Sequence, residues 1–349
     1  MAYTTINKSS LHMNTKLYTG NGGTQSITGV GFQPDLVWGK NRSTTNWHDL
    51  EDSVRGATKR LSSNSTDAEA TETVNFTSFD SDGFSVGSGA NVNGNGNNIV
   101  VWNWKANGAG SANTAGSINS TVSANTTSGF SIVTYTGTGS DATIGHGLNS
   151  APEMIIQKNT DFAYNWYSWH KDIGIANYIE LNTTSAAEST DSGGDSWNNT
   201  LPTSSVFSIG SDGGTNRSGD THLAYCFHSV QGYSKFGSYV GNGSSDGSFC
   251  YTGMKTSFVM IKRTDSAGNY WHIYDNKRSS SGGSNVINDV LYPNRSDAEY
   301  SEDRIDFVSN GFKIRNTNGD INTSGGNYIF MAFAEAPLVG TNNVPCTAR

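Results

Sequence analysis

Tyr18-Thr19-Gly20-Asn21-Gly22, Tyr135-Thr136-Gly137-Thr138-Gly139 and Tyr239-Val240-Gly241-Asn242-Gly243 are three copies of one stretch. Each is followed by an apolar run ending in lysine: Leu36-Val37-Trp38-Gly39-Lys40, Met154-Ile155-Ile156-Gln157-Lys158 and Phe258-Val259-Met260-Ile261-Lys262. The tyrosine-to-lysine separations are 22, 23 and 23 residues. Trp47, Trp166 and Trp271 follow the lysines, and each copy closes on an alternating strand: Val100-Trp102-Trp104, Leu223-Tyr225-Phe227, Ile329-Met331-Phe333. From Phe84, Phe207 and Phe312 to the closing aromatics Trp104, Phe227 and Phe333 the distances are 20, 20 and 21 residues. A repeat of about one hundred residues is too long for a solenoid and reads as tandem domains.

The expected organisation is a polar arm over 1–12, a first module over 13–106, and a Gly/Ser/Asn-rich connector over 107–127. A second module then covers 128–231, a third 232–338, and a tail 339–349. The later part of the connector, Ile118 to Val122, has enough apolar character to pair at a sheet edge. Only Gly232 to Lys235 separates modules two and three, so that junction should be the stiffer one.

Roughly half the chain is Gly, Ser, Thr or Asn, and 15% is charged. Short apolar strands between polar turns imply an all-β fold of antiparallel sandwiches or barrels. The net charge of −8 and the lack of a Lys/Arg cluster disfavour nucleic acid. Cys226, Cys250 and Cys346 make no disulfide framework. Without a signal-like start or a long apolar run, the chain is expected to be made in a cytoplasm, with no membrane insertion. Work outside the cell would then require lysis or a particle.

Several residues carry candidate chemistry. Asp80 and Asp82 flank a tight turn at Gly83 and offer oxygens to a hard cation. The competing reading is an ordinary Asp-Gly turn, since no distal glutamate completes a calcium loop and module three has Val308 and Asn310 there. No metal or other cofactor is expected. Trp47-His48-Asp49, Trp169-His170-Lys171-Asp172 and Trp271-His272-Ile273-Tyr274-Asp275 place imidazole near carboxylate three times. Without a nucleophile elbow they read as polar ends of core strands. The carboxylates Asp35 and Glu153 hold one module position, but Ser257 fills it in the third module, and the adjacent pairs Glu51/Asp52 and Glu302/Asp303 cannot flank one bond because neighbours on a strand face opposite ways. The repeated aromatics Trp47, Trp166, Trp271, Trp104, Phe227 and Phe333 read as core. Candidate glycan-contact rings sit instead in the variable stretches 175–201 and 279–302: Tyr178, Trp197, Tyr292 and Tyr300.

The opening Tyr-Thr-Gly-Asn-Gly motif, Gly31-Phe32-Gln33-Pro34-Asp35-Leu36-Val37, the Trp47-to-Gly56 segment and the Ser81-Asp82-Gly83-Phe84 turn resemble a known family. So do Ser234-Lys235-Phe236-Gly237-Ser238-Tyr239, Ile273-Tyr274-Asp275-Asn276-Lys277-Arg278 and Tyr328-Ile329-Phe330-Met331-Ala332-Phe333-Ala334-Glu335. That family is a repeated domain of marine bacteriophage (cyanophage- and pelagiphage-type) virion and tail-fibre proteins. The resemblance covers nearly the whole chain beyond residue 12, with module two departing most. It implies three tandem concanavalin- or laminin-G-like jelly-roll sandwiches. It transfers no catalytic or ligand-binding residue.

The expectation is a non-enzymatic virion protein, a tail-fibre, spike or appendage component touching host glycans. The alternative is a decoration or connector protein on capsid or tail, and an enzyme degrading host polysaccharide has least sequence behind it. Partners are other virion proteins and a homo-oligomer, a trimer by analogy with phage appendages.

Overall fold

The computed structural model describes residues 3–190, 195–279, 285–340 and 344–346. The chain is all-β, with antiparallel pairing throughout its named strands. Each unit builds one large sheet around the same four strands in the same order. In unit 1 they are Met13–Thr19, Asn98–Trp104, Leu36–Asn41 and Asp49–Asp52. In unit 2 they are Phe130–Thr136, Thr221–Phe227, Met154–Asn159 and Tyr167–His170. In unit 3 they are Ser234–Val240, Asn327–Pro337, Met254–Arg263 and His272–Asp275. A second sheet, of three, two and four strands in units 1, 2 and 3, packs on one face of each.

The repeated Tyr-x-Gly-x-Gly stretch ends the first strand of each unit, and the three tyrosines are equivalent. Tyr18, Tyr135 and Tyr239 donate to the carbonyls of Val92, Thr215 and Ile321 at 2.6, 2.6 and 2.7 Å. These acceptors lie in one-turn helices, Ala90–Asn93, Gly213–Asn216 and Gly319–Asn322, which the expected all-strand modules did not include. A buried asparagine in each turn, Asn93, Asn216 or Asn322, accepts the backbone N–H of Asn21, Thr138 or Asn242. The first glycine is required by contact: a Cβ on Gly20, Gly137 or Gly241 would lie 2.3 Å from the carbonyl oxygen of Gly94, Arg217 or Thr323.

Strand residues alternate between two cores. Val37, Ile155 and Val259 face the second sheets of their own units. Leu36, Trp38, Trp102 and Trp104 of unit 1 face the other way. They meet Phe130, Ile156 and Phe227 of unit 2 and Phe258, Met260 and Phe333 of unit 3 in one central cluster. Burial on both faces explains the unbroken apolar runs. The three units are therefore built around one shared core, and Trp104 packs edge-on against both Phe258 and Phe333.

The contacts between units repeat around a closed ring. Trp166 Nε1 donates to the Ser62 carbonyl and Trp271 Nε1 to the Glu180 carbonyl, both at 2.9 Å. Pairing of Leu36 with Asp52, Met154 with His170 and Phe258 with Asp275 aligns His48, not Trp47, with these tryptophans. His48 accordingly donates Nε2–H to the third equivalent carbonyl, Tyr292, at 3.1 Å. Seven residues further on, the N–H groups of Glu69, Ala187 and Glu299 bond the carbonyls of Thr160, Thr264 and Arg42 at 2.8, 2.8 and 2.9 Å. Unit 1 thus clasps unit 2, unit 2 clasps unit 3, and unit 3 clasps unit 1.

The stretch 107–127 carries strands Ser111–Asn113 and Ser120–Asn125, which extend the second large sheet beyond Phe130–Thr136. Among the described residues no helix is long and apolar enough to cross a membrane.

Candidate functional site

The three imidazoles expected beside carboxylates are buried, and His48 bonds across a unit boundary. His48 Nδ1 accepts Trp38 Nε1–H at 2.9 Å, and burial holds its pKa well below the usual value. His170 Nδ1 accepts the Asp172 N–H at 3.2 Å, and burial lowers its pKa to about 4. His272 donates Nε2–H to Asp320 at 3.2 Å and accepts from the Tyr274 hydroxyl at Nδ1; burial lowers it to about 4 as well. All three are neutral at pH 7.

The carboxylates have equally local roles. Asp35 accepts the N–H groups of Ala106 and Gly108 at 2.7 and 3.0 Å and fixes the start of the connector. Asp52 pairs with Arg55 at 2.6 Å and accepts the Tyr225 hydroxyl of unit 2 at 2.9 Å. Glu153 pairs with Lys171 at 3.1 Å, and Glu302 with Arg304. The Asp303 side chain lies outside the described residues. Asp80 accepts the hydroxyls of Ser78 and Ser85 at 2.8 and 2.7 Å. Asp82 accepts the N–H groups of Gly31 and Gly29 at 2.7 and 2.9 Å, which lower its pKa. Hydrogen-bond donors thus face both aspartates of the candidate cation turn. Gly83 is needed there because a Cβ would meet the Ile27 carbonyl oxygen at 1.9 Å.

Each unit also buries the lysine that ends its apolar run. Lys40, Lys158 and Lys262 donate to the carbonyls of Asn41, Asn159 and Asn269 at 2.6, 2.7 and 2.7 Å. Burial lowers each pKa to about 8. A cation satisfied by carbonyls in all three units has a structural role.

The aromatic candidates separate sharply. Trp197 is 1% exposed, inside the unit 2 core, so it offers no face to solvent. Tyr292 is buried too, between Tyr270, His272 and Tyr300. Tyr178 is half-buried, packs at a tilt against Tyr167 and donates to Glu188 at 3.0 Å. Tyr300 keeps 44% of its surface. In both corrected cases a large ring lowers its free energy more by packing under its own loop than by staying wet.

Trp47 corrects the opposite expectation. It is 39% exposed, because His48 occupies the place that Trp166 and Trp271 fill in the other units. It sits in the loop between the lysine strand and the next strand. Phe162 (47% exposed) and Tyr270 occupy the matching loops. Every one of these rings has an arginine guanidinium over it: Arg60 at 5.5 Å from Trp47, Arg217 at 3.6 Å from Phe162, Arg295 at 4.6 Å from Tyr270. Trp47 and Arg60 also line a groove of about 360 Å³ with Glu72, Val74, Asn75 and Asn91. Ring faces beside guanidinium, carboxylate and amide groups suit polyhydroxylated ligands, whose C–H faces stack and whose hydroxyls bridge.

Residues 8–337 match a single family model, described as Domain of unknown function (DUF7483). The chain belongs to that family, and the match spans all three units as one block. No curated protein and no solved structure matches the chain.

Proposed function

We propose that the chain is a non-enzymatic structural protein of a bacteriophage particle, a tail-fibre, spike or appendage component whose loop aromatics touch host surface glycans. The observation that carries this reading is the set of Trp47–Arg60, Phe162–Arg217 and Tyr270–Arg295 pairs in matching loops around a closed ring. Repeated weak contacts of this kind raise avidity by about 10²–10⁴ when engaged together. The burial of all three imidazoles, and the engagement of His48 and Asp52 in contacts between units, supports the non-enzymatic part, and the sequence resemblance supports the particle. The concanavalin-like jelly-roll character of the units, the virion location and attachment to other virion proteins belong to the same proposal. A homotrimer would need surfaces other than the unit boundaries, since the ring is closed within one chain.

The second reading is a decoration or connector protein, favoured by the rigidity that a shared core gives. Cryo-electron microscopy of the assembled particle separates the two. Density at an exposed appendage tip supports host contact, density spread on the capsid or tail wall supports decoration, and absence from the particle ends both.

A further inference from the structure

Two sheets stacked face to face leave an open side between their edge strands, and the three units close it differently. In unit 2 the chain closes its own. Ser120–Asn125 pairs antiparallel with the edge strand Phe130–Thr136, setting Thr121 opposite Thr134 and Ser123 opposite Ile132. Just before it, Ile118 bridges to Ile144 on the small sheet. Val122 joins the unit's inner core. In unit 1 the loop after Gln25–Thr28 spans the gap: Asn14 donates to the Val30 carbonyl at 2.8 Å, and Val30 and Phe32 are buried.

In unit 3 the corresponding edges are Ser234–Val240 and Phe249–Tyr251, and no described strand lies outside either. The Phe236 N–H points outward to the Ser229 hydroxyl at 3.1 Å, and the Val240 carbonyl accepts the Ser248 hydroxyl at 2.7 Å. By strand parity Ser238, between them, also faces outward. It matches Thr134, since Ser234 pairs with Phe333 as Phe130 pairs with Phe227. No backbone partner faces Ser238 on that side among the described residues. A cleft of about 270 Å³ runs beside these edges, lined by Ser238, Tyr239, Phe249 and Tyr251 of unit 3 and by Lys171 and Asp172 of unit 2. Phe249 and Tyr251 are 48% and 57% exposed at its rim. An open edge beside exposed rings is a template for strand addition.

We propose that the open side of unit 3 is a docking site for an extended segment of a different polypeptide, added antiparallel to Ser234–Val240. The chemistry of the segment is that of the strand already used in unit 2. Small or apolar residues alternate with hydroxyl residues, and one face turns into the cleft between Phe249 and Ser238. This holds whether or not the chain is a virion component.

The test uses the full chain and a synthetic peptide copying Gly116 to Thr126. Amide exchange over 234–240 is followed with and without peptide. A second peptide is N-methylated at Thr121 and Ser123, the residues that supply donors in unit 2. Saturable slowing of exchange at Ser238 and Val240 by at least tenfold, abolished by N-methylation, is the expected result. Phe249→Ser and Tyr251→Ser, both at exposed positions, should weaken the peptide about tenfold, with melting temperature as the control on folding. No slowing at millimolar peptide, or equal slowing by the methylated peptide, overturns the proposal. Protection that rises with protein concentration alone would assign the edge to a second copy and overturn it too.

Discussion

Trp102 donates its indole N–H to the Asp275 carboxylate at 2.8 Å, joining unit 1 to unit 3, the two units that no linker connects. Arg278 holds the same carboxylate at 2.6 Å, and both groups are fully buried. Trp102→Phe keeps most of the ring and removes the donor. The expected loss is about 1.5–3 kcal/mol, the range for hydrogen bonds to charged groups. It should appear as a lower urea midpoint with an unchanged slope. An unmoved midpoint would mean that this bond contributes nothing to closure.

A shared core predicts shared unfolding. Urea denaturation of the whole chain should give one transition, coincident by tryptophan fluorescence and circular dichroism. The isolated segment 128–231 would expose Phe130, Ile156, Tyr225 and Phe227, which the other two units cover. It should fail to give a dispersed NMR spectrum. Three separable transitions, or a folded fragment, would restore the picture of independent domains.

Glu51 lies on the inner face of unit 1, where Trp169 and Tyr274 stand in units 2 and 3. Neither of its carboxylate oxygens has a hydrogen-bond partner. Burial, then the charge of Asp49, raises its pKa well above the ordinary 4.5. Between the ordinary and the raised value, the folded chain keeps a proton that the unfolded chain releases. Stability therefore falls as pH rises through that window. Glu51→Leu should stabilise by about 1–3 kcal/mol at pH 8, the cost of a buried unpaired polar group. The gain should shrink toward pH 4.5. Histidine titration affects both proteins alike and cancels in the difference. A gain independent of pH would show that shape, not charge, is what the leucine improves.

Trp47→Ala, Phe162→Ala and Tyr270→Ala lie in equivalent loops, and the first two rings are substantially exposed. Each alone should weaken adsorption of recombinant protein to host cells a few-fold, and the triple variant should lose at least tenfold more. Melting temperature serves as the control on folding. Full adsorption by the triple variant would remove these rings from any receptor surface, and Tyr300→Ala would then be the remaining test of the aromatic reading.

The repeat, the all-β class and the buried closing aromatics Trp104, Phe227 and Phe333 were legible because spacing and alternation are local properties. Ring closure was not, since a strand buried on two faces looks the same whether its outer face meets another domain or a neighbouring copy. Trp47 misled because aligning by residue type placed it with Trp166 and Trp271, whereas strand register places His48 there. Trp197 and Tyr292 misled because a ring in a variable loop carries no sequence mark of whether its loop folds over it. The exposed pairs became visible only when arginines from other segments were seen above the rings.

Two of the three unit boundaries use the same charged set. Asp52, Arg55 and Glu69 serve the first, and Asp275, Arg278 and Glu299 the boundary that closes the ring. At the remaining boundary the matching places hold His170, Ile173 and Ala187, facing Met331 where the others receive Tyr225 or Trp102. Three identical boundaries would let any unit dock on any other, in the same chain or between chains. With one apolar seat and two charged ones, unit 3 presenting Met331 to a charged seat would leave Asp52 or Asp275 without the donor that Tyr225 or Trp102 supplies, a cost of about 1–3 kcal/mol. The unlike boundary thus acts as a key that favours one cyclic order of the units over the others.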